Sequence, residues 1–221
     1  MDKVIQGVSF TSIFIITFIG VGFTYTFIHE LGHALAMLSV GFQISSFAVC
    51  PFKVYREDNR YKCMFDLKLS KQYFGKVQPS IVGIHTEEAY ERLSPKLYWV
   101  LGGGHVLELF SLIGWLMLYN VLPEGDFRFS LKITICSMLI LSFLTSADIV
   151  GMYRLCTDSI SKELCVYDWV TCGPIIDDKT KALVIQKMLA KEDYVKVNAQ
   201  KIDKNTVLEY NNILLALKKD F

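Results

Sequence analysis

The residues best suited to chemistry in this sequence stand at positions 29 to 33, which read His29-Glu30-Leu31-Gly32-His33. On an α-helix, the two histidines of this HExxH pattern face the same side, where both imidazoles can bind one zinc ion. The glutamate between them can then act as a general base toward a water molecule that the metal activates. The spacing therefore predicts a hydrolytic zinc site with His29 and His33 as ligands and Glu30 as the base.

The motif lies in one of three apolar segments, at about 8–40, 97–122 and 129–155. Each is long enough to cross a bilayer, which takes roughly 20 helical residues. Hydrophobic residues make up 52% of the 221 residues, which is ordinary for a small polytopic membrane protein and high for a soluble domain. We therefore expect an all-α polytopic membrane protein with a three-helix transmembrane core, so that the lipid bilayer is one of its partners.

Basic residues are distributed unevenly around these segments. Nine Lys and Arg residues lie between the first two spans and eleven lie from Arg154 onward, whereas Lys3, Arg128 and Lys132 fall on the opposite side. Since basic loops stay in the cytoplasm, we expect the N-terminus outside and the first loop and C-terminal tail in the cytoplasm. Cysteines on that side remain reduced, so we expect no disulfide between Cys50 and Cys63.

The three spans contain further polar groups beside the HExxH motif. With the expected orientation, His105 and Glu108 of the second span and Asp148 of the third lie at about the depth of His29 and His33. Because a catalytic zinc ion takes three protein ligands, we expect Asp148 to be the third ligand and one zinc ion to be bound per chain. The alternative for Asp148 is a helix-end acid that pairs with Arg154.

The second span adds a histidine, a glutamate and a run of glycines. His105 and Glu108 are three residues apart on one helical face, so they could support the metal site, stabilise a transition state or simply neutralise each other. Gly103 and Gly104 precede them and favour close approach of the backbone to a neighbouring helix or to a bound substrate.

The segments outside the spans divide into a hairpin and a tail. Residues 61–69 alternate apolar and polar side chains, which predicts a half-buried strand, and with residues 47–55 they form a β-hairpin within about 46–70. A turn at 57–60 would place Cys63 opposite Val54. Helical periodicity at 178–191 and 204–219 indicates a helical cytoplasmic tail over 156–221, after a membrane core of 1–155. The basic residues of the tail are balanced by acids, so we expect no nucleic-acid partner.

These residues together resemble the site-2 protease family of intramembrane zinc metalloproteases. His29 to Ala34 read HELGHA, as in the first core helix of that family, and Ala147-Asp148-Ile149 stands where its LDG-like motif supplies a metal-binding aspartate. The family's GGPxxN-like motif is represented by the stretch from Gly103 to Glu108, in which His replaces Pro and Glu replaces Asn. The resemblance covers roughly 8–155 and also implies a β-hairpin between the first two core helices.

The resulting functional hypothesis is an intramembrane zinc endopeptidase that cleaves transmembrane or membrane-proximal segments of other membrane proteins. Such a substrate must unwind to expose its peptide bonds, and the edge of the hairpin could bind it as an added strand. One alternative is a membrane protease resembling the CAAX prenyl endopeptidases, which pair HExxH with a distant glutamate; Glu87 and Glu88 are the candidates. Another is a non-proteolytic membrane scaffold or regulator that retains the zinc site.

The expected orientation can be tested by accessibility labelling of single cysteines in intact cells. In Asp58→Cys and Asn205→Cys the new thiol should be shielded from an impermeant reagent, whereas in Gly125→Cys it should react, because only the short turn between the second and third spans faces outside. Labelling is measured against the wild-type background. Reaction at position 58 would reverse the orientation and remove the basis of the depth comparison.

Overall fold

The computed structural model describes residues 2–57, 60–68, 74–80 and 86–157, together with residues 162, 165, 166 and 169. Within these residues the chain is mostly helical and carries a small sheet. The elements in chain order are α1 (Asp2–Ser39), β1 (Gln43–Val49), β2 (Phe52–Glu57), β3 (Arg60–Phe65), β4 (Gly75–Ser80), α2 (Glu87–Glu91), α3 (Leu93–Val121), α4 (Asp126–Thr145) and α5 (Ala147–Cys156).

In the part of the chain that the structure describes, three helical segments are long and apolar enough to span a membrane: Phe10–Ser39, Glu88–Val121 and Asp126–Cys156. They coincide with the three segments expected from the sequence. The second segment begins earlier than expected because the short helix α2, capped by the Thr86 hydroxyl accepting from the Ala89 N–H, precedes α3. A turn at Gly125, where φ is +155°, joins the second segment to the third. Because this φ favours glycine, Glu124→Cys is the less disruptive labelling position in that turn.

The first span is one continuous helix, and its end is defined by a glycine. The Gly41 N–H donates to the Leu38 carbonyl at 3.1 Å, and the Phe42 N–H donates to the Met37 carbonyl at 2.9 Å. Gly41 has a φ of +86°, as the residue after the helix requires in this capping arrangement. The helix therefore ends where the sequence indicated, and the chain enters β1 directly.

The third span is not the single helix expected over 129–155. It is interrupted at Ser146, whose extended backbone (φ −72°, ψ 103°) separates α4 from α5. The Ser146 hydroxyl accepts the N–H of Ile149 at 3.1 Å and so caps the new helix, as serine does at helix N-termini. This break places Asp148 in the first turn of α5.

The expected two-stranded hairpin is part of a four-stranded sheet with the order β3-β2-β1-β4. The run 47–55 is not one strand, because the chain turns at Cys50 and Pro51 and then pairs back on itself, with Val49 opposite Phe52. Proline has no N–H with which to continue the ladder. The expected register of the next pair is confirmed, since Cys63 lies opposite Val54, and both Cys50 and Cys63 are free thiols.

The alternation at 61–69 does not mark a half-buried strand. Every residue of β3 is exposed, including Tyr61 at 66% and Phe65 at 62%, because β3 is an edge strand that no described element covers on either face. Strand β4 and helix α2 were not predicted from the sequence. Residues 69–70, where the hairpin was expected to end, lie outside the described residues, as do the two predicted tail helices. The boundary at 155/156 therefore stays a prediction.

The chain divides into two compact units. One contains Met1–Ala36, Ser46–Val77 and Val100–Ile149 and holds the HExxH motif together with His105, Glu108 and Asp148. Its buried core is formed by Val21 of α1 with Leu131 and Ile135 of α4, against which pack Leu112, Trp115, Tyr119, Leu122 and Leu139. In the other unit, Met37, Leu93 and Leu97 are buried, and the Trp99 indole donates to the Ser39 hydroxyl at 3.0 Å.

Within the first unit, helices α1 and α3 touch through their backbones at a pair of glycines. A Cβ added at Gly32 would collide with the carbonyl of Gly103, and one added at Gly103 would lie 2.7 Å from the carbonyl oxygen of Gly32. Small residues allow this approach between apolar helices. The contact brings the HExxH face of α1 against the polar face of α3.

We expect Gly32→Ala to destabilise the protein, because its methyl group meets rigid backbone and the helices must separate. Overpacking of this kind costs about 1–3 kcal/mol. Gly20→Ala is the matched control on the same helix, since nothing lies within 4 Å of an added Cβ there. The measurement is the thermal unfolding midpoint of the detergent-solubilised protein. A midpoint for Gly32→Ala equal to that of Gly20→Ala would contradict the close helix contact.

Candidate metal centre

Helix α1 places the two histidines of the HExxH motif one turn apart on its α3-facing side. The Nε2 atoms of His29 and His33 are 2.9 Å apart, and the two rings meet edge to face with centroids 4.5 Å apart. The Nδ1–H of His33 donates to the Val100 carbonyl of α3 at 2.7 Å. This hydrogen bond leaves the lone pair on Nε2, which is the atom that points at His29.

Asp148 reaches the same point from α5. Its Oδ2 lies 3.3 Å from Nε2 of His29 and 3.4 Å from Nε2 of His33. The Asp148 carboxylate thus faces the two imidazoles. The three side chains expected to be metal ligands are therefore brought together, although His29 and Asp148 are 119 residues apart along the chain.

The geometry of these three atoms fits a zinc ion. They form a triangle with sides of 2.9, 3.3 and 3.4 Å. A point just outside its plane can lie about 2.0–2.1 Å from all three atoms, the distance at which zinc binds imidazole nitrogen and carboxylate oxygen. Two imidazoles and one carboxylate leave a fourth tetrahedral position open, as catalytic zinc sites do. His29, His33 and Asp148 thus form a group that could bind a metal ion.

Charge also favours a cation at this point. Glu30 and Glu108 are buried, with 7% and 8% of their surface exposed, and Asp148 is only partly exposed. Three ionised carboxylates in an apolar helix bundle are costly unless positive charge compensates them. A divalent cation bound by His29, His33 and Asp148 would supply most of that compensation.

Glu108 and His105 of α3 lie on the other side of His29. Nδ1 of His29 is 3.1 Å from Oε1 of Glu108, and the His105 Nδ1–H donates to Oε2 of Glu108 at 2.7 Å. The Ser142 hydroxyl of α4 is 3.1 Å from both carboxylate oxygens. Sequence reasoning left open whether His105 and Glu108 reach the site, and the structure places both within it. They also form a second possible metal-binding group with His29.

The glycines of α3 pack against α1 at the site. A Cβ at Gly104 would lie 2.6 Å from Nε2 of His33 and 2.8 Å from Cε1 of His29, so only glycine leaves room for both imidazoles. Of the two roles considered for Gly103 and Gly104, close approach to a neighbouring helix is realised. Their part in substrate binding stays a prediction.

Glu30 is held in place by a strand that the sequence did not reveal. A Cβ at Gly75, the first residue of β4, would lie 2.5 Å from Oε1 of Glu30, so the backbone of β4 packs directly on this carboxylate. The Val77 backbone N–H contributes a hydrogen bond to it. The glycine was the available signal, but nothing in the local sequence connects it with α1.

A cavity of about 1110 Å³ opens beside these groups. His29, Glu30, His105, Glu108 and Asp148 line one part of it, and apolar side chains line much of the remainder, among them Phe18, Ile19, Phe23, Phe52, Phe74, Met138 and Leu141. Such a cavity, apolar with a few converging polar groups, is the usual form of a substrate site.

The chain matches no known protein family, no curated protein and no solved structure. The resemblance to the site-2 proteases therefore rests on the motif residues themselves.

We expect the purified protein to bind about one zinc ion per chain, and Asp148→Ala to lose most of it, because two histidines alone leave the site one ligand short. Glu88→Ala, which removes a candidate ligand of the prenyl-endopeptidase alternative, serves as the control and should retain the metal. Metal content is measured by elemental analysis after purification in detergent. Zinc loss in Glu88→Ala with normal content in Asp148→Ala would instead favour that alternative.

Proposed function

We propose that this protein is a membrane-embedded zinc endopeptidase that hydrolyses peptide bonds in or near transmembrane segments of other membrane proteins. The observation that carries the proposal is the convergence of His29, His33 and Asp148, with buried Glu30 in the same cavity, inside helices long enough to span a bilayer. This combination matches what peptide hydrolysis requires: three ligands, an open position and a base.

The chain's own residues have distinct parts in this reaction. His29, His33 and Asp148 would hold the zinc ion, which when bound polarises a peptide carbonyl and lowers the pKa of water to about 7. Glu30 accepts a proton from the attacking water and returns it to the leaving amine as the C–N bond breaks. Its packing against Gly75 restricts the carboxylate, so that the base is positioned before substrate arrives.

The sheet supplies a means of holding an extended substrate. A substrate helix hides its carbonyls in internal hydrogen bonds, so the segment to be cleaved must first unwind. Strand β4 is at one edge of the sheet, and its first residue lies against Glu30. A substrate segment added to this edge would run past the base, with its backbone groups paired to β4 rather than left unpaired in an apolar cavity. The edge proposed here is therefore β4, in place of the hairpin edge within 46–70 that was expected from the sequence.

The membrane placement follows from the charge distribution. The proposal puts the N-terminus outside, and the sheet and the chain after Arg154 on the cytoplasmic side, where 20 of the 23 basic residues lie. The site is then near the cytoplasmic ends of the three spans. Substrate bonds at that depth are the ones expected to be cut.

Glu30→Gln separates an enzyme from a scaffold. The amide keeps the shape of the side chain but cannot accept the proton, so we expect normal folding and zinc content with peptide cleavage reduced at least roughly 10²-fold. Substrate should remain bound to the inactive protein. The measurement compares membrane proteomes of cells expressing wild type or Glu30→Gln, seeking transmembrane fragments that only wild type generates.

The control is Glu91→Gln, which makes the same chemical change on α2, outside the cavity lining, and should leave the fragments unchanged. If Glu30→Gln retains the full biological activity of wild type, proteolysis is not the function and a zinc-binding scaffold or regulator is the better description.

A further inference from the structure

We propose that Glu108 is a positioning residue for both ends of the metal-ligand set: it fixes the ring of His29 directly, and through His105 and Ser146 it holds the helix cap that places Asp148. The inference rests on zinc binding at His29, His33 and Asp148 as proposed above. It does not depend on whether the bound metal cleaves peptides.

The first link is between Glu108 and His29. To bind a metal through Nε2, a neutral imidazole must carry its proton on Nδ1, and that N–H needs an acceptor. Nδ1 of His29 is fully buried and has no hydrogen-bond partner of good geometry among the described residues. Oε1 of Glu108, 3.1 Å away, is within ion-pair distance of this atom and is the acceptor that we assign to the Nδ1–H.

The second link continues from Glu108 to Ser146. The His105 Nδ1–H donates to Oε2 of Glu108 at 2.7 Å, which leaves Nε2 of His105 as an acceptor. The Ser146 hydroxyl lies 2.9 Å from that Nε2 and donates to it. The same hydroxyl oxygen accepts the Ile149 N–H at 3.1 Å. These hydrogen bonds therefore form a series in which Ser146 donates to His105 and His105 donates to Glu108. Each donor in the series meets one acceptor.

The position of Ser146 connects this series of hydrogen bonds to a second candidate ligand, Asp148. Ser146 lies at the break between α4 and α5, two residues before Asp148, and its capping hydrogen bond fixes the first turn of α5. The hydrogen-bonded chain therefore begins at the cap that orients Asp148 and ends at the ring of His29. Removing a link should weaken metal binding even though every ligand remains.

The same three side chains allow a different role, because His29, His105 and Glu108 could themselves bind a second metal ion. In that arrangement His29 would use both nitrogens as ligands, and its Nδ1 would carry no proton. The positioning role requires the Nδ1 proton, so the two roles differ in metal stoichiometry. One zinc ion per chain supports positioning, and two support a second site.

The experiment measures zinc affinity of the full-length, detergent-solubilised protein by competition with a chromophoric chelator. We expect Glu108→Gln to bind zinc about 10- to 100-fold more weakly, the usual effect of losing a partner of a metal-binding histidine. Glu91→Gln is the matched control, since it makes the same chemical change on α2, outside the cavity lining, and should leave the zinc affinity at the wild-type value. The Co²⁺ absorption spectrum should change in Glu108→Gln and not in Glu91→Gln.

A second pair of variants keeps the test valid if Glu108→Gln fails to fold. Ser146→Ala should weaken zinc binding, and Ser146→Thr, which keeps the hydroxyl and can cap the helix, should restore it. Wild-type affinity in both Glu108→Gln and Ser146→Ala would overturn the positioning role while leaving the zinc site intact. Two zinc ions in wild type and one in Glu108→Gln would overturn it in favour of a second metal site. A wild-type protein that binds no zinc would refute the proposed function itself.

Discussion

Polar groups buried between apolar helices must satisfy one another, and the first structural unit is organised around that requirement. A carboxylate or imidazole removed from water is stable only with a partner at short range. Here His29 contacts His33, Glu108 and Asp148 at 2.9 to 3.3 Å. Contacts this short require the helix backbones to approach closely, which the glycines of α1 and α3 permit, and require α5 to begin where Ser146 caps it.

This requirement explains why much of the site could be predicted from the sequence. In an apolar span, a buried histidine or acid has few possible partners, so His105, Glu108 and Asp148 could be matched to the HExxH helix by depth alone. The structure brings all of them within one cluster. The spans were predictable for the same reason, since segments of that length and hydropathy form helices with every backbone group paired internally.

The features that were not predicted from the sequence fall into two groups. Some have a local residue that marks them, and others depend only on tertiary contacts. Pro51 marked the turn that divides the run 47–55, and Ser146 followed by Asp148 in a first helical turn marked the cap of α5. The packing of β4 on Glu30 had no local signal, because Gly75 acquires its role only when the strand lies against α1. The exposed β3 shows that period-2 alternation indicates a strand without proving that one face is buried.

His105 and Glu108 depend on each other for a hydrogen-bond partner. A histidine at 105 without an acid at 108 would leave its Nδ1–H without the acceptor that it uses at 2.7 Å. Glu108 without His105 would lose its shorter hydrogen bond at Oε2, and its charge would be less compensated between apolar helices. Together they form a charge-assisted pair on one helical face, joined to Ser146 on one side and His29 on the other. The pair is self-consistent, and its hydrogen bonds connect it to His29 and to the helix cap that precedes Asp148, two of the three candidate metal ligands.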